Sequence, residues 1–309
     1  GYSVLKKLSD NLEAVRLALA WRPGQTPNAA QAEALQRYSG FGGIKAVLYP
    51  AGDIQVWKDF NATEDDLRLH PRLMELHSLL QSNFDSEQYR QVVQSLRNSV
   101  LTAFYTPPVV PQTLYSVLKE NNIAPRRIYE PSSGAGVFLS EAVKAFPELE
   151  RITAVEKDLL TAKVLQALSG GFPVETTVHS MGFEETPSDD DGQYDLVVSN
   201  IPFGNFAVHD PSISSRDLVG KIHNYFFAKG IEKTGDGGLL AYITTDSFLN
   251  SPSNQKAREH LFGKADFISL TVLLDNLMKD TGNTEAPSHL LIVQKNEEKN
   301  GLSADEQLL

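Results

Sequence analysis

From about residue 127 onward, short apolar runs alternate with segments of helical periodicity, and this alternation constrains the fold more than any other feature. The runs are Arg127–Glu130, Ile152–Glu156, Glu175–His179, Tyr194–Asn200, Leu239–Thr244, Ile268–Leu274 and Leu290–Gln294. Helical patterns lie between them at 137–146, 158–168, 220–233 and 253–263. Runs this short suit strands buried in a sheet, and the intervening patterns suit the helices that cross over it. The order therefore predicts an α/β fold, a doubly wound sheet of about seven strands with helices on both faces. The last two runs are joined only by Asp275 to Ser288, rich in Asn, Asp and Gly, which suits an antiparallel hairpin at a sheet edge.

The first hundred residues follow a different rule. Leu5, Leu8, Leu12, Val15 and Leu19 recur at spacings of three and four, as on one face of an amphipathic helix. Residues 28–38, 64–82 and 86–100 continue in that style. Tyr38-Ser39-Gly40-Phe41-Gly42-Gly43 interrupts it. No strand precedes these glycines and no Lys-Ser/Thr follows, so a tight turn packing Phe41 is expected rather than a phosphate loop. The expected organisation is a helical N-terminal region over 1–100, a sheet domain over 101–296 and a polar tail over 297–309. Asp189-Asp190-Asp191-Gly192 is expected to be a solvated turn.

Composition narrows the classes. With 309 residues and 41% hydrophobic content, the chain can bury a full core. It has no run of eighteen apolar residues, no basic-then-apolar leader and no cysteine, which points to a cytoplasmic protein without disulfides or thiolate metal sites. His179, His209, His223 and His289 lack metal-ligand spacing, so no metal is expected. With Gly rather than Met at position 1, the natural chain is expected to be longer. The net charge of −11 opposes tight binding of a polyanion by the averaged field of this chain.

Five segments carry candidate chemistry. Tyr194–Asn200 runs directly into Asn200-Ile201-Pro202-Phe203. This places an amide, a rigid proline and an aromatic ring at a strand's C-terminal end, where open α/β sheets bind ligands. The same tetrad also suits a plain Asx turn followed by a core Phe. Glu130-Pro131-Ser132-Ser133-Gly134-Ala135-Gly136-Val137-Phe138-Leu139 follows the first strand and opens a helix, whose free N–H groups attract an anion. A dinucleotide loop is disfavoured because Leu139 stands where a third glycine would be. Val155-Glu156-Lys157-Asp158 ends the second strand. Glu156 is placed to bind ribose hydroxyls, and Asp158 to cap the next helix. Phe104-Tyr105-Thr106-Pro107-Pro108 also reads as a Thr cap before a helix-starting proline. Gly182-Phe183-Glu184 follows the third run, where Phe183 either stacks on a ligand or fills the core.

In this order the segments resemble the S-adenosylmethionine-dependent amino-methyltransferases, which methylate exocyclic or amide nitrogens through an Asn/Asp/Ser-x-Pro-aromatic motif. With Ser-Gly-Phe-Gly-Gly upstream, the chain is similar to large phage- and plasmid-borne adenine methyltransferases often fused to helicases. The resemblance implies a Rossmann-like seven-stranded methyltransferase sheet whose final pair is antiparallel. It also implies S-adenosylmethionine as cofactor, with contacts at Glu130, Pro131, Ser132, Gly134, Gly136 and Phe138 and with Glu130 facing the methionine ammonium. Tyr105 and Thr106 are expected to close over the methionine end, Glu156 and Lys157 to lie at the ribose, and Gly182 and Phe183 at the adenine.

The catalytic set implied is Asn200, Ile201, Pro202 and Phe203, acting on N6 of adenine in DNA. The Asn200 oxygen and the Ile201 carbonyl accept the amine hydrogens, Pro202 fixes the turn, and Phe203 stacks on a flipped base. Ile201 departs from the commonest form, which has a second proline, but its role needs only a carbonyl. Protein-glutamine N5 methylation, RNA adenine methylation and a non-catalytic module that only binds the cofactor are the alternatives. Restriction–modification and mobile elements are the expected setting. Because of the acidic charge, recognition of a DNA sequence is expected to need a domain or partner beyond this chain.

Overall fold

In a computed structural model of the chain, residues 3–103, 105–273 and 287–309 are described. Two compact units are present, one formed by Gly1–Tyr105 with Lys157–Phe172, the other by Thr106–Glu156 with Pro173–Leu309.

The first unit is helical: α1 (Val4–Ala20), α2 (Ala29–Gln36), α3 (Ile54–Asp59), α4 (Glu64–Asn83) and α5 (Ser86–Thr102), joined by α8 (Leu159–Ser169). Side-chain caps start each helix, from Ser3, Asn28, Asp53, Thr63, Asp85 and Asp158 in turn, relieving the unpaired first-turn N–H groups. Leu8, Leu12, Val15 and Leu19 of the predicted stripe are buried, whereas Leu5, in the first turn of α1, is 44% exposed. α8 packs on α1, α2 and α5. Two polar pins reinforce this packing: Ser95 donates to Asp158 Oδ1 at 2.7 Å, and the hydroxyls of Tyr38 and Thr161 meet at 2.7 Å.

The Gly40–Gly43 segment is the expected turn. Phe41 is buried, Asn11 Nδ2 donates to the Gly40 carbonyl at 2.6 Å, and Gly43 N donates to the Val100 carbonyl at 2.9 Å. A Cβ on Gly42 would stand 2.2 Å from the Ala103 carbonyl oxygen, so the close approach of two backbones requires glycine there.

The second unit holds a seven-stranded mixed sheet: β1 (Arg127–Glu130), β2 (Arg151–Val155), β3 (Glu175–His179), β4 (Tyr194–Asn200), β5 (Thr234–Thr245), β6 (Ala265–Leu273) and β7 (Ser288–Lys295), in the order β3-β2-β1-β4-β5-β7-β6. All neighbours are parallel except β7, which is antiparallel to both β5 and β6. This is the predicted sheet with its antiparallel final pair. Leu274 and the connection 275–286 lie outside the described residues. Its helices are α6 (Val109–Glu120), α7 (Val137–Ala145), α9 (Arg216–Val219), α10 (Ile222–Lys233), α11 (Ser247–Asn250) and α12 (Gln255–Lys264), besides a short C-terminal turn of helix. One core cluster runs from Tyr129 and Val197 through the buried face of α10 to Leu291 and Val293.

β5 begins five residues earlier than its apolar run. Tyr194 pairs with Thr234 but Leu196 with Leu239, so a register shift absorbs Gly235–Gly238. Glycines and an aspartate hide this stretch from hydrophobic periodicity.

The acidic loop 189–192 is more than a solvated turn. Lys233 at the end of α10 is fully buried, and its ammonium lies 2.5 Å from Asp190 Oδ1 and 2.9 Å from Asp191 Oδ1. A cation inside the core needs such partners.

Candidate functional site

The sheet order reverses direction between β1 and β4, which places the segments after their C-terminal ends on either side of a crevice. Glu130 ends β1 and Asn200 ends β4.

Glu130 is 1% exposed, and among the described residues its Oε1 makes no hydrogen bond. Burial pushes its carboxyl well above the usual carboxylate range; the Ser199 hydroxyl pulls it partly back, and the nearby negative charge of Glu156 adds to the rise. Ser199, fully buried one residue before Asn200, has its Oγ 3.2 Å from Glu130 Oε2 and 2.9 Å from the Ser132 carbonyl. A single hydroxyl proton is thus shared between two acceptors, and the carboxyl is left undersatisfied.

Beyond Glu130 the chain turns through buried Pro131 and half-buried Ser132, and Ser133 N donates to the Val155 carbonyl at 2.9 Å. Gly134 has φ +53° with open space where a Cβ would project, and Gly136 caps α7 with φ +84°. No side chain caps α7. Gly134 N instead donates to Glu156 Oε1 at 2.9 Å, so the acid that ends the second run already holds the glycine turn. The Phe138 ring, 2% exposed, fills the core beneath the turn.

Asn200 is half-buried, and its Nδ2 donates to Thr106 Oγ1 at 3.1 Å. Among the described residues its Oδ1 makes no hydrogen bond, and nothing donates to the Ile201 carbonyl. Ile201 itself is buried, with its N–H bonded to the Ile243 carbonyl at 3.0 Å, while Pro202 and Phe203 are half-buried. Thr106 is not the helix cap expected from its sequence: α6 starts at Val109 with Pro108 as its cap, which leaves the threonine hydroxyl for Asn200.

Phe183 is 1% exposed and lies against Tyr129, Tyr225 and Phe226 at ring-centroid distances of 5.7, 6.0 and 5.0 Å. Stacking of this ring on a ligand is corrected to a core position, because the apolar area of a phenyl ring is better buried than left at a rim. Buried Gly182 precedes it, its N–H donating to Glu185 Oε2 at 2.9 Å. Tyr105 and Lys157 belong to the first unit; Tyr105 is half-buried, its hydroxyl pushed up by burial, and Lys157 is exposed. Phe104 lies outside the described residues.

Several supporting residues carry no sequence motif. Lys229 on α10 is buried and donates to the carbonyls of Phe183 at 2.7 Å and Thr186 at 3.1 Å. Tyr225 donates to Asp210 Oδ2, and Ser212 N donates to Asp210 Oδ1 at 2.9 Å, anchoring the loop after the tetrad. Gly204 N donates to His223 Nδ1 at 3.4 Å, while His223 Nε2 is buried with no hydrogen bond among the described residues. The run 223–227 is buried all round α10, five consecutive residues that circle the helix. A lysine pair at i and i+4 within that helix, Lys229 and Lys233, was the available signal for buried cations.

The sheet and the crevice at its switch point define the fold of the class I S-adenosylmethionine-dependent methyltransferases. A Listeria monocytogenes protein assigned to that class superposes with a TM-score of 0.57 at 13% identity, over 98% of this chain and 91% of its own. Residues 137–276 match the model of the Eco57I restriction-modification methylase family. Over 201 residues the chain is 24% identical to the defense against restriction protein B of Escherichia phage P1, covering 62% of this chain and 8% of that protein. Over 179 residues it is 26% identical to the type II methyltransferase M.CvrRI of Paramecium bursaria Chlorella virus XZ-6E, covering 56% and 44%. The chain thus spans less than half the length of either relative.

Proposed function

We propose that this chain transfers a methyl group from S-adenosylmethionine to the N6 amine of adenine in DNA. The observation that carries the reading is the pair of open acceptors at the end of β4, Asn200 Oδ1 and the Ile201 carbonyl, beside a buried, undersatisfied carboxyl at the end of β1.

The β1 side fits the amino-acid end of S-adenosylmethionine. Glu130 Oε1 suits an ammonium, and the uncapped N-terminus of α7 beyond Gly136 suits a carboxylate. Gly134 and Gly136 leave the backbone open to the ligand, with Pro131 and Ser132 shaping the turn. Glu156, holding the Gly134 amide, is placed for the ribose and also orders the turn. Bound there, S-adenosylmethionine supplies an electrophilic methyl group on a sulfonium sulfur.

On the β4 side, an adenine amine is a poor nucleophile because its lone pair is delocalised into the ring. Thr106 commits Asn200 Nδ2, and this fixes Oδ1 as the outward acceptor. Oδ1 and the Ile201 carbonyl then accept the two N–H bonds, turn the lone pair toward the methyl group and stabilise the positive charge that builds on nitrogen. With S-adenosylmethionine bound, the sulfonium sulfur would keep the electron pair of the broken S–C bond, and the surplus amine proton, held by Asn200 Oδ1 or the Ile201 carbonyl, would pass on to water. Phe203 stacks on the flipped base and offsets part of its lost stacking.

Tritiated-methyl transfer from S-adenosylmethionine to DNA, RNA and protein pools tests this reading, with wild type and Asn200→Ala in parallel. Labelled N6-methyladenine in DNA that disappears in the variant supports it. Label in protein, or cofactor binding without transfer to any pool, sinks it.

A further inference from the structure

The helical unit holds a feature that methyl transfer does not use. A cleft of about 490 Å³ runs beside α5 and α4, lined among others by His77, Ser86, Tyr89, Arg90, Gln94 and Arg97. Five of these lie on α5 at positions 86, 89, 90, 94 and 97, a stripe along one face that spans about 16 Å at 1.5 Å per residue. Most of the stripe is already engaged: Arg90 pairs with Glu87, the Tyr89 hydroxyl meets His77, and Gln94 Nε2 donates to Asn98 Oδ1 at 3.0 Å, which sets Arg97 apart.

Arg97 is anomalous among the arginines of this unit. Arg16 pairs with Glu75 at 2.8 Å, Arg37 with Glu33 at 3.4 Å, Arg68 with Asp65 at 3.4 Å, Arg72 with Glu75 at 3.0 Å, and Arg90 with Glu87. Arg22 donates to the Leu19 and Trp21 carbonyls. Arg97 makes no ion pair or hydrogen bond among the described residues, and its Nε is buried. A guanidinium cannot shed its charge, so a buried Nε left unmet is costly, while Arg97 itself is only half-buried. In a chain of net charge −11, a cation without a carboxylate is the more unusual.

Its neighbours are arranged to leave it so. The His77 ring nitrogen Nδ1 and the Tyr89 hydroxyl satisfy each other at 2.6 Å. Burial, with the charge of Arg97, holds His77 below its ordinary value, and among the described residues no carboxylate pairs with Arg97.

We infer that this cleft binds a phosphate group through Arg97, with the donors along α5 as its second set of contacts. A lone planar carboxylate is satisfied by one guanidinium fork. The unpaired guanidinium of Arg97, with the remaining N–H groups of Arg90 and Gln94 on the same helix face, suits a tetrahedral or repeating anion better. Its source is the backbone of a nucleic-acid strand or a free phosphate. The site is independent of the methyl-transfer reading, since neither cofactor nor transfer enters the measurement.

The test uses the full chain with two variants, Arg97→Gln and Gln94→Glu; the second adds a negative charge at an exposed position and leaves the fold intact. In one arm, fluorescence anisotropy follows binding of a labelled duplex from 50 to 200 mM salt. Each variant is expected to weaken binding about 3- to 10-fold at low salt, and Arg97→Gln to reduce the slope of log K against log salt by about 0.9. In the other arm, inorganic phosphate is compared with chloride at matched ionic strength for its effect on the melting temperature. Variant effects in the duplex arm alone identify a strand backbone, and effects in both arms a free phosphate site. Unchanged affinity, slope and phosphate response in both variants overturn the inference.

Discussion

The side-chain amide of Asn200 donates to the Thr106 hydroxyl across 3.1 Å, joining residues 94 positions apart in the chain. Thr106 thereby selects which end of the amide faces outward. It acts on orientation rather than on the substrate.

Thr106→Val is expected to lower kcat about 10-fold, as one lost hydrogen bond of roughly 1 to 1.5 kcal/mol implies, with cofactor affinity changed little. Asn200→Ala is expected to cost about 100- to 1000-fold in kcat, the range for removing a group that meets developing charge. Single-turnover methylation and equilibrium cofactor binding separate the two effects. A Thr106→Val enzyme with wild-type kcat contradicts the orienting role.

Glu130 links cofactor binding to protons. Between its ordinary value of 4.5 and its raised folded value, the unfolded chain ionises while the folded one keeps the proton. The folded state binds more protons in that window, so stability without cofactor falls as pH rises through it. An ammonium beside Oε1 favours the ionised form, and binding is expected to release a proton. Titration calorimetry in buffers of different ionisation enthalpy reads that proton, and Glu130→Gln is expected to abolish it. Proton release equal in variant and wild type rejects the assignment.

His223 acts in the opposite direction. Burial holds it below its ordinary value of 6.5 against the opposing pull of Asn254, the charge of Lys221 adding to the drop, so the unfolded chain takes up a proton first as pH falls. Stability is then lost as pH drops below 6.5 toward the folded value. Urea unfolding at pH 7.5 and 5.5 is expected to show a smaller difference in His223→Gln than in wild type. Some slope remains, because His77 and His260 are lowered by burial as well.

Gly42→Ala is expected to destabilise the helical unit by about 1 to 3 kcal/mol, because the new methyl group meets the Ala103 carbonyl oxygen and the backbone must move. Gly263→Ala, a helical position with open space where the Cβ projects, serves as a control expected to leave stability equal or slightly higher. Melting temperatures of the two variants decide the matter.

The seven strands and the major helices of the sheet unit were legible in the chain, because buried strands and amphipathic helices impose periods of two and 3.6 on apolar residues. Asn200 and Glu130 were legible as strand-end residues for the same reason. The start of β5 was not, since Gly235–Gly238 carry no apolar period and pair only through a register shift. Phe183 could not be placed from sequence either. A phenyl ring at a strand end suits a ligand or a core equally, and Tyr129, Tyr225 and Phe226 decide for the core.

The sequence alone determined the order of elements, the strand ends and the residue types available there, since these follow from local periodicity and turn chemistry. Only the tertiary structure decided which polar groups are satisfied and which are left open. Thr106 meets Asn200, Lys229 meets the Phe183 carbonyl, and Glu130 Oε1 has no partner among the described residues. Hydrogen-bond satisfaction depends on distances of about 3 Å between residues far apart in the chain, and no local pattern encodes such distances.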